Sequence, residues 1–523
     1  MLFLPSCLLS AGVVATFAFA LVARAVPNTD ASVQTRRSLE STIPKLVVAR
    51  HLVGLTGGGG SGDYVKDTWE NDMTLAFSKG IDAFALSVGA DGFTHQQVDL
   101  AYTAAENLRL GFTVFLSLDM DAIDLSYNCN DSSTADYIRN LTSTYMGRSS
   151  QLLINNKALV STVSGGNCTL GADTPTKGWA TQFAQHPDLL ERIYFVPAFA
   201  IDPESFVNFS GVMNGDFNFN ASWQMNLTAN ATGYSEDLGQ LSGLGMTVQQ
   251  QDALFGLLNY TFDSDERHIQ GLANATHNNQ SLYMTSVSPW FFTHFEPPLD
   301  KNLIYDCDDH LFVRRWQNII DHRDQVDIVQ LLSWNDYGES HYMGPIEGNI
   351  PQEAEAWTLG YDHQGFLEVV SYFAEWFKSG EQPEITNDQV LMWARPHPAS
   401  LNATDDSGSD PGPGKPANYQ LTILTGSGYG MQAQDQLWAV VFASAPANAT
   451  LWTTDNTSTT FQLDGAGLHL VNTSLTLGGY MRGTLERGNE TFVDIRPPDE
   501  EYTFQTSIKE YNFNVFVALG AAL

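Results

Sequence analysis

Basic residues are scarce in this chain. Of 523 residues, 25 are Lys or Arg against 59 Asp or Glu, for a formal net charge of −34. Polyanion binding needs clustered cations, so nucleic acid is excluded as a partner. The four cysteines are equally sparse. With Cys7 in the apolar start, only Cys129, Cys168 and Cys307 remain, too few for a disulfide scaffold. Cys129 and Cys168 form a candidate bridge, which leaves Cys307 as a buried free thiol. No set of Cys and His has zinc-ligand spacing, and "DMDAID" lacks the Gly and closing Glu of an EF-hand, so no metal is expected. "GLTGGGGSG" has neither GxGxxG spacing nor a Walker lysine, and it reads as a βα-loop rather than a phosphate cradle. No cofactor is implied.

What is present begins with "MLFLPSCLLSAGVVATFAFALVARA". This apolar run ends in the small-x-small pattern Ala23-Arg24-Ala25 and reads as a signal peptide over 1–25, an uncleaved anchor being the alternative. A candidate pro-segment over 26–43 contains the dibasic pair Arg36-Arg37. Fifteen Asn-x-Ser/Thr sequons, from Asn130 to Asn489, point to a heavily glycosylated, secreted or cell-wall protein. No stable membrane association is expected, and the chain is expected to act as a monomer. Hydrophobic residues at 43 % with 11 % aromatics supply a globular core, and the length suits one large and one smaller domain.

From Lys45 onward two textures alternate. "KLVVARHLVG", "IDAFALSVG", "FTVFLSLDM", "ALVSTVSGG", "IYFVPAFA", "DFNFNASWQ", "LYMTSVSPW" and "VDIVQLLSWND" are strand-like, most with helical stretches between them. Eight such β/α alternations predict an α/β fold, a (β/α)8 TIM-type barrel over 44–395. The Pro, Gly, Ser and Asp of 396–418 read as a linker or exposed loop. Residues 419–523 carry short strands with no helical period and predict an all-β sandwich, read as a packing partner for the barrel more than as a carbohydrate-binding module.

In a barrel the C-terminal ends of the strands line one cavity. Those ends hold Arg50 and His51, Ser87, Asp119, Trp223, Trp290, and then Trp334, Asn335, Asp336, Tyr337, Glu339, His341 and Tyr342 in "SWNDYGESHY". Aromatic faces stack on sugar C–H surfaces, while Asp, Asn and Ser bind hydroxyls. Two carboxyls, Asp336 and Glu339, suit glycoside hydrolysis, in which one protonates the leaving oxygen and the other activates water or attacks the anomeric carbon. For inversion their carboxyls should stand about 6.5–9.5 Å apart. Other readings stand beside these. Trp290 reads also as core, Asp119 as a cap for the following segment, and His51 as structural.

"SWNDYGESHY", "SVSPWFFTHF", "GIDAFALSVG" and "VVARHLVG" resemble fungal α-1,3-glucanases, or mutanases, of glycoside hydrolase family 71. The resemblance runs over roughly Lys45 to His397 and more loosely beyond. It implies an inverting, cofactor-free hydrolase of the cell-wall polymer α-1,3-glucan, with a barrel joined to a β-sandwich and Asp336 and Glu339 as the acidic pair. Arg50 stands where the family shows His, and Val163-Ser164 stands where it shows an aromatic and an acid. The alternatives are a non-catalytic α-glucan-binding protein, or a hydrolase of a mixed-linkage glucan or mannan-type glycan. The arrangement W-N-acid-x-x-acid is also similar to that of endo-α-mannosidases, whose second carboxyl handles the leaving group.

Overall fold

All eight strand candidates fold as parallel strands of one sheet. In chain order these are β1 (Leu46–Leu52), β2 (Ala83–Val88), β3 (Thr113–Asp119), β5 (Lys157–Val163), β6 (Ile193–Ala198), β7 (Gly215–Asn218), β8 (Leu282–Val287) and β11 (Ile328–Leu331), with a two-residue antiparallel β4 (Leu153–Ile154) on β5. The computed structural model describes residues 43–222, 262–276, 281–295, 301–304, 310–398, 401, 418–419, 435–509 and 511–522. The signal peptide, all but the last residue of the 26–43 segment, Trp223, Cys307 and most of the 396–418 linker lie outside the described residues.

Pairing runs β6-β5-β3-β2-β1-β11-β8-β7. The first and last parallel strands of the chain, β1 and β11, are neighbours, and the sheet curls so that β6 and the start of β7, at the two ends of this order, come together. Its strands are apolar on both faces; β2, for example, is buried at all six positions. That is the pattern of a parallel sheet covered by helices. The covering helices include Lys66–Ser78, Thr94–Leu108, Ser132–Tyr145, Asp263–Ala275, Leu311–Asp321 and Leu367–Ser379.

The ladder does not close between β6 and β7, a departure from the closed barrel expected from the sequence. The two strands meet at one point: Asn214 N donates to the Phe195 carbonyl at 2.8 Å, and Phe195 N donates to Asn214 Oδ1 at 2.8 Å. Val196 and Ala198 turn the other way, towards β5, through Ser161 Oγ and Thr162 Oγ1. By this alternation the next position facing β7 after Phe195 is Pro197, which has no N–H to donate. The ladder therefore stops there.

Two antiparallel sheets follow. One is β17 (Gly467–Ser474), β14 (Gln436–Ala443), β12 (Gln389–Ala394) and β20 (Phe516–Ala521); the other is β16 (Thr457–Leu463), β15 (Ala447–Thr454), β18 (Arg482–Arg487) and β19 (Glu490–Ile495). Inward residues of both, among them Met392, Val441, Leu451 and Leu485, share a hydrophobic cluster of their own. Strand β12 belongs to these sheets although it lies within the 44–395 stretch assigned to the barrel, and Asn418–Tyr419 (β13) pairs instead with β10 (Lys301–Ile304), which pairs with β9 (Phe292–Phe295). The C-terminal region is sewn to the curled sheet: Trp290 Nε1 donates to the Phe513 carbonyl at 2.9 Å, and Asn514 Nδ2 donates to that of Trp357 at 2.6 Å. Ser41–Leu523 accordingly forms one compact unit.

Cys129 and Cys168 are joined as a disulfide across 39 residues. Among the described residues no helix is long and apolar enough to cross a membrane.

Candidate active site

The loop after β11 folds back beneath itself. Met343 N donates to the Ser333 carbonyl at 3.1 Å and Gly344 N to that of Trp334 at 2.8 Å, while Ser333 N bonds the His341 carbonyl. Trp334 N donates to the Arg50 carbonyl at 2.7 Å, and Asn335 spans Leu52, accepting from its N–H at 2.7 Å and donating to its carbonyl at 3.1 Å. The end of β11 is thus fixed to the end of β1. Asp336 N donates to Ser333 Oγ at 2.8 Å, which sets the direction of the side chain.

Two cationic groups converge on that side chain. Arg50 Nη1 lies 3.2 Å from Asp336 Oδ2, and His341 Nε2 lies 3.1 Å from the same oxygen. Arg50 is shared: Nη2 lies 3.0 Å from Asp119 Oδ2, Nε donates to Ser87 Oγ at 3.2 Å, and the guanidinium rests over the Phe219 ring at 5.6 Å. His341 Nε2 also contacts Glu339 Oε2 at 2.9 Å. The His341 ring is fully buried, which alone would lower its pKa. The charge of Asp336 and the hydrogen bonds of Asp336 and Glu339 outweigh that cost and push it up to about 9. The site is therefore a hydrogen-bonded network, Asp119–Arg50–Asp336–His341–Glu339, drawn from three strand ends, with His341 holding its proton at neutral pH.

Asp336, Glu339 and His341 each offer one donor atom within 4.8 Å of the others, spacing that a divalent ion would accept. The Arg50 guanidinium at 3.2 Å from Asp336 Oδ2 places a positive charge against that position, so the set suits an ion-pair network better than a cation. One oxygen of each carboxyl comes to within 4.8 Å of the other. One imidazole nitrogen bridges both and draws them together.

The remaining residues singled out in the sequence separate into those at this centre and those beneath it. Asp119 belongs to the centre and also caps the next segment, accepting from Ala122 N at 3.1 Å. His51 points away from the cleft: it is fully buried against Trp69 at 4.3 Å, with Nε2 3.2 Å from Asp72 Oδ2, and burial lowers its pKa. Trp290 and Trp334 are buried scaffold, not sugar platforms. Tyr337 is buried, with its hydroxyl on the Pro345 carbonyl at 2.9 Å. Tyr342, also buried, stacks on His363 at 4.3 Å and bonds the Tyr361 carbonyl. These aromatics brace the acidic loop from below. Asn335 likewise holds the loop, while Trp223 lies outside the described residues. Sequence reasoning missed Phe219 beneath Arg50 and Phe291, which stacks on His341 at 5.4 Å. The position of Phe219 directly after a strand was the available signal.

The sequence pattern of Glycosyl hydrolase family 71 matches residues 44–522. The chain is 29 % identical over 482 residues to the glucan endo-1,3-alpha-glucosidase agn1 of Schizosaccharomyces pombe, covering 91 % of this chain and 94 % of that protein. It is 27 % identical over 481 residues to the mutanase Pc12g07500 of Penicillium rubens, covering 90 % and 88 %. Among solved structures, a GH99 endo-alpha-mannosidase from Bacteroides thetaiotaomicron superposes with a TM-score of 0.41 at 13 % identity, covering 65 % of this chain and 100 % of that one. The match over nearly the whole length, with the paired acids at the end of the last parallel strand, places this chain in glycosyl hydrolase family 71.

Proposed function

We propose that the chain is a secreted glucan endo-1,3-α-glucosidase that cuts the α-1,3 bonds of fungal cell-wall α-glucan, with Asp336 as base and Glu339 as acid. The carrying observation is the unequal setting of the two acids. Asp336 is anchored through one oxygen by Arg50 and His341 with its side chain 10 % exposed, whereas Glu339 is 23 % exposed. An anchored, deep carboxylate suits removal of a proton from an attacking water. A longer and more accessible one suits protonation of the glycosidic oxygen. Inversion requires Glu339 to leave His341 as the leaving oxygen takes its place, which opens room for the water. The approach to within 4.8 Å favours a second reading, a retaining double displacement with Asp336 as nucleophile.

The α-1,3 specificity rests on the family and on the two relatives named above. Secretion is supported by the described sequons: Asn130, Asn140, Asn167, Asn208, Asn220, Asn274, Asn448, Asn456, Asn472 and Asn489 are all exposed. Architecturally, the curled sheet is read as a (β/α)8 barrel open at one seam, and the two C-terminal sheets as a β-sandwich.

The deciding experiment follows the first-formed sugar by proton NMR while the protein digests α-1,3-glucan. A β-anomer is expected for inversion, and an α-anomer would transfer the reading to retention. Glu339→Gln should slow polymer hydrolysis severely yet spare a substrate with an activated leaving group. Asp336→Asn should abolish both, with azide restoring turnover. Near-normal polymer hydrolysis by Asp336→Asn would overturn the assignment. Binding without any release of sugar would make this a glucan-binding protein instead.

A further inference from the structure

The open seam between β6 and β7 is occupied by a pocket. Past Pro197 the two strands no longer pair, and a cavity of about 460 Å³ lies where they part, lined from one side by Ala198 to Pro203 and from the other by Phe217 to Asn220. The cavity opens on the same face as Asp336, since all these residues follow the C-terminal ends of parallel strands. Phe219 joins the two places, lining the pocket and carrying the Arg50 guanidinium at 5.6 Å.

The lining has the chemistry of a sugar site. Phe199, Phe206, Phe217 and Phe219 offer apolar surface for C–H faces. His268 and Arg267 enter from the helix Asp263–Ala275. His268 is held from behind: its Nδ1 lies 2.8 Å from Oδ2 of Asp216, whose side chain is 1 % exposed, and the His268 side chain itself is 15 % exposed. With Nδ1 committed to Asp216, the other ring nitrogen is left for a ligand. Arg267 Nη2 stands 3.6 Å from Asp202 Oδ1 at the rim. Arg267 is already paired with Asp202 and His268 with Asp216, so an anion is not favoured. A neutral polyol is.

We propose that this seam pocket is a subsite for glucosyl units of the α-glucan chain, reached past Phe219 from the Asp336–Glu339 centre, with His268 bonding a sugar hydroxyl. It rests on the glucanase reading and extends it to chain-length preference. Its origin lies in Pro197: a residue that cannot donate across the seam leaves the strands apart, and the gap becomes binding space.

The test uses the full chain carrying Glu339→Gln, titrated calorimetrically with α-1,3-linked gluco-oligosaccharides of increasing length, while wild-type hydrolysis of α-1,3-glucan is assayed in parallel. Affinity should rise with length. His268→Ala should weaken binding of the longer oligosaccharides about five- to tenfold, the worth of one hydrogen bond, and leave the disaccharide unaffected. Ala200→Trp, which fills the pocket, should remove the gain with length. If Ala200→Trp does not fold, Arg267→Ala joins His268→Ala in deciding. Folded variants that bind long oligosaccharides as the parent does, while the wild type cuts α-1,3-glucan, overturn the subsite and leave the glucanase reading intact. If the parent binds no length of oligosaccharide and the wild type cuts no α-1,3-glucan, both fall.

Discussion

Replacing His341 by Gln should make the stability of this protein respond differently to alkali. The ring is fully buried between Asp336 and Glu339, and its pKa is pushed up from 6.5 to about 9. A group whose pKa is raised in the folded chain stabilises fully below its unfolded value and loses that contribution as pH rises through its folded value. The window is therefore 6.5 to about 9. At 1.36 kcal/mol per pH unit, the whole contribution is about 3 kcal/mol. His341→Gln keeps a donor of similar reach but no charge, so it lacks the contribution at every pH. Unfolding free energies of wild type and variant, measured by urea titration at pH 6 and pH 9.5, should differ by about 3 kcal/mol more at the lower pH. Wild type and variant losing stability in parallel between these pH values would refute the charged, bridging imidazole.

Two further outcomes follow from the same contacts. Arg50→Met removes the guanidinium between Asp336 and Asp119, and with charged hydrogen bonds worth about 1.5–3 kcal/mol, kcat/KM on polymer should fall roughly 10- to 150-fold. Retention within threefold would show that Arg50 does not position the base. Cys129→Ala with Cys168→Ala opens a loop of 39 residues. The chain-entropy relation gives a loss of about 4 kcal/mol, seen as a lowered unfolding midpoint without a change in kcat; an unchanged midpoint would contradict it.

The strands were legible because each is a local pattern. "IDAFALSVG" and "FTVFLSLDM" announce buried strands whatever surrounds them, and β1, β2 and β3 follow those runs. Asp336 and Glu339 were legible for a similar reason, lying three residues apart just after a strand, so local geometry alone brings them to one place. Strand β12 escaped notice because "QVLMWA" follows a barrel-like helix, and only its partners β14 and β20 assign it to the C-terminal sheets.

What the sequence determined by itself was periodicity, the order of elements and the acidic pair, all properties of neighbours along the chain. Tertiary structure decided the rest. Arg50 reaches Asp336 across 286 positions and Asp119 across 69, and no spacing rule selects those partners. Whether Trp290, Trp334, Tyr337 and Tyr342 would meet sugar or brace the loop depended on which face the folded loop turned inward. All four turned inward: Trp334, Tyr337 and Tyr342 because their loop closes on its own backbone, and Trp290, after β8, because the C-terminal region covers it through Phe513. Pro197 stood visible in "IYFVPAFA" throughout. Its consequence, an open seam and the pocket within it, exists only once β7 lies beside β6 and asks for a hydrogen bond that proline cannot give.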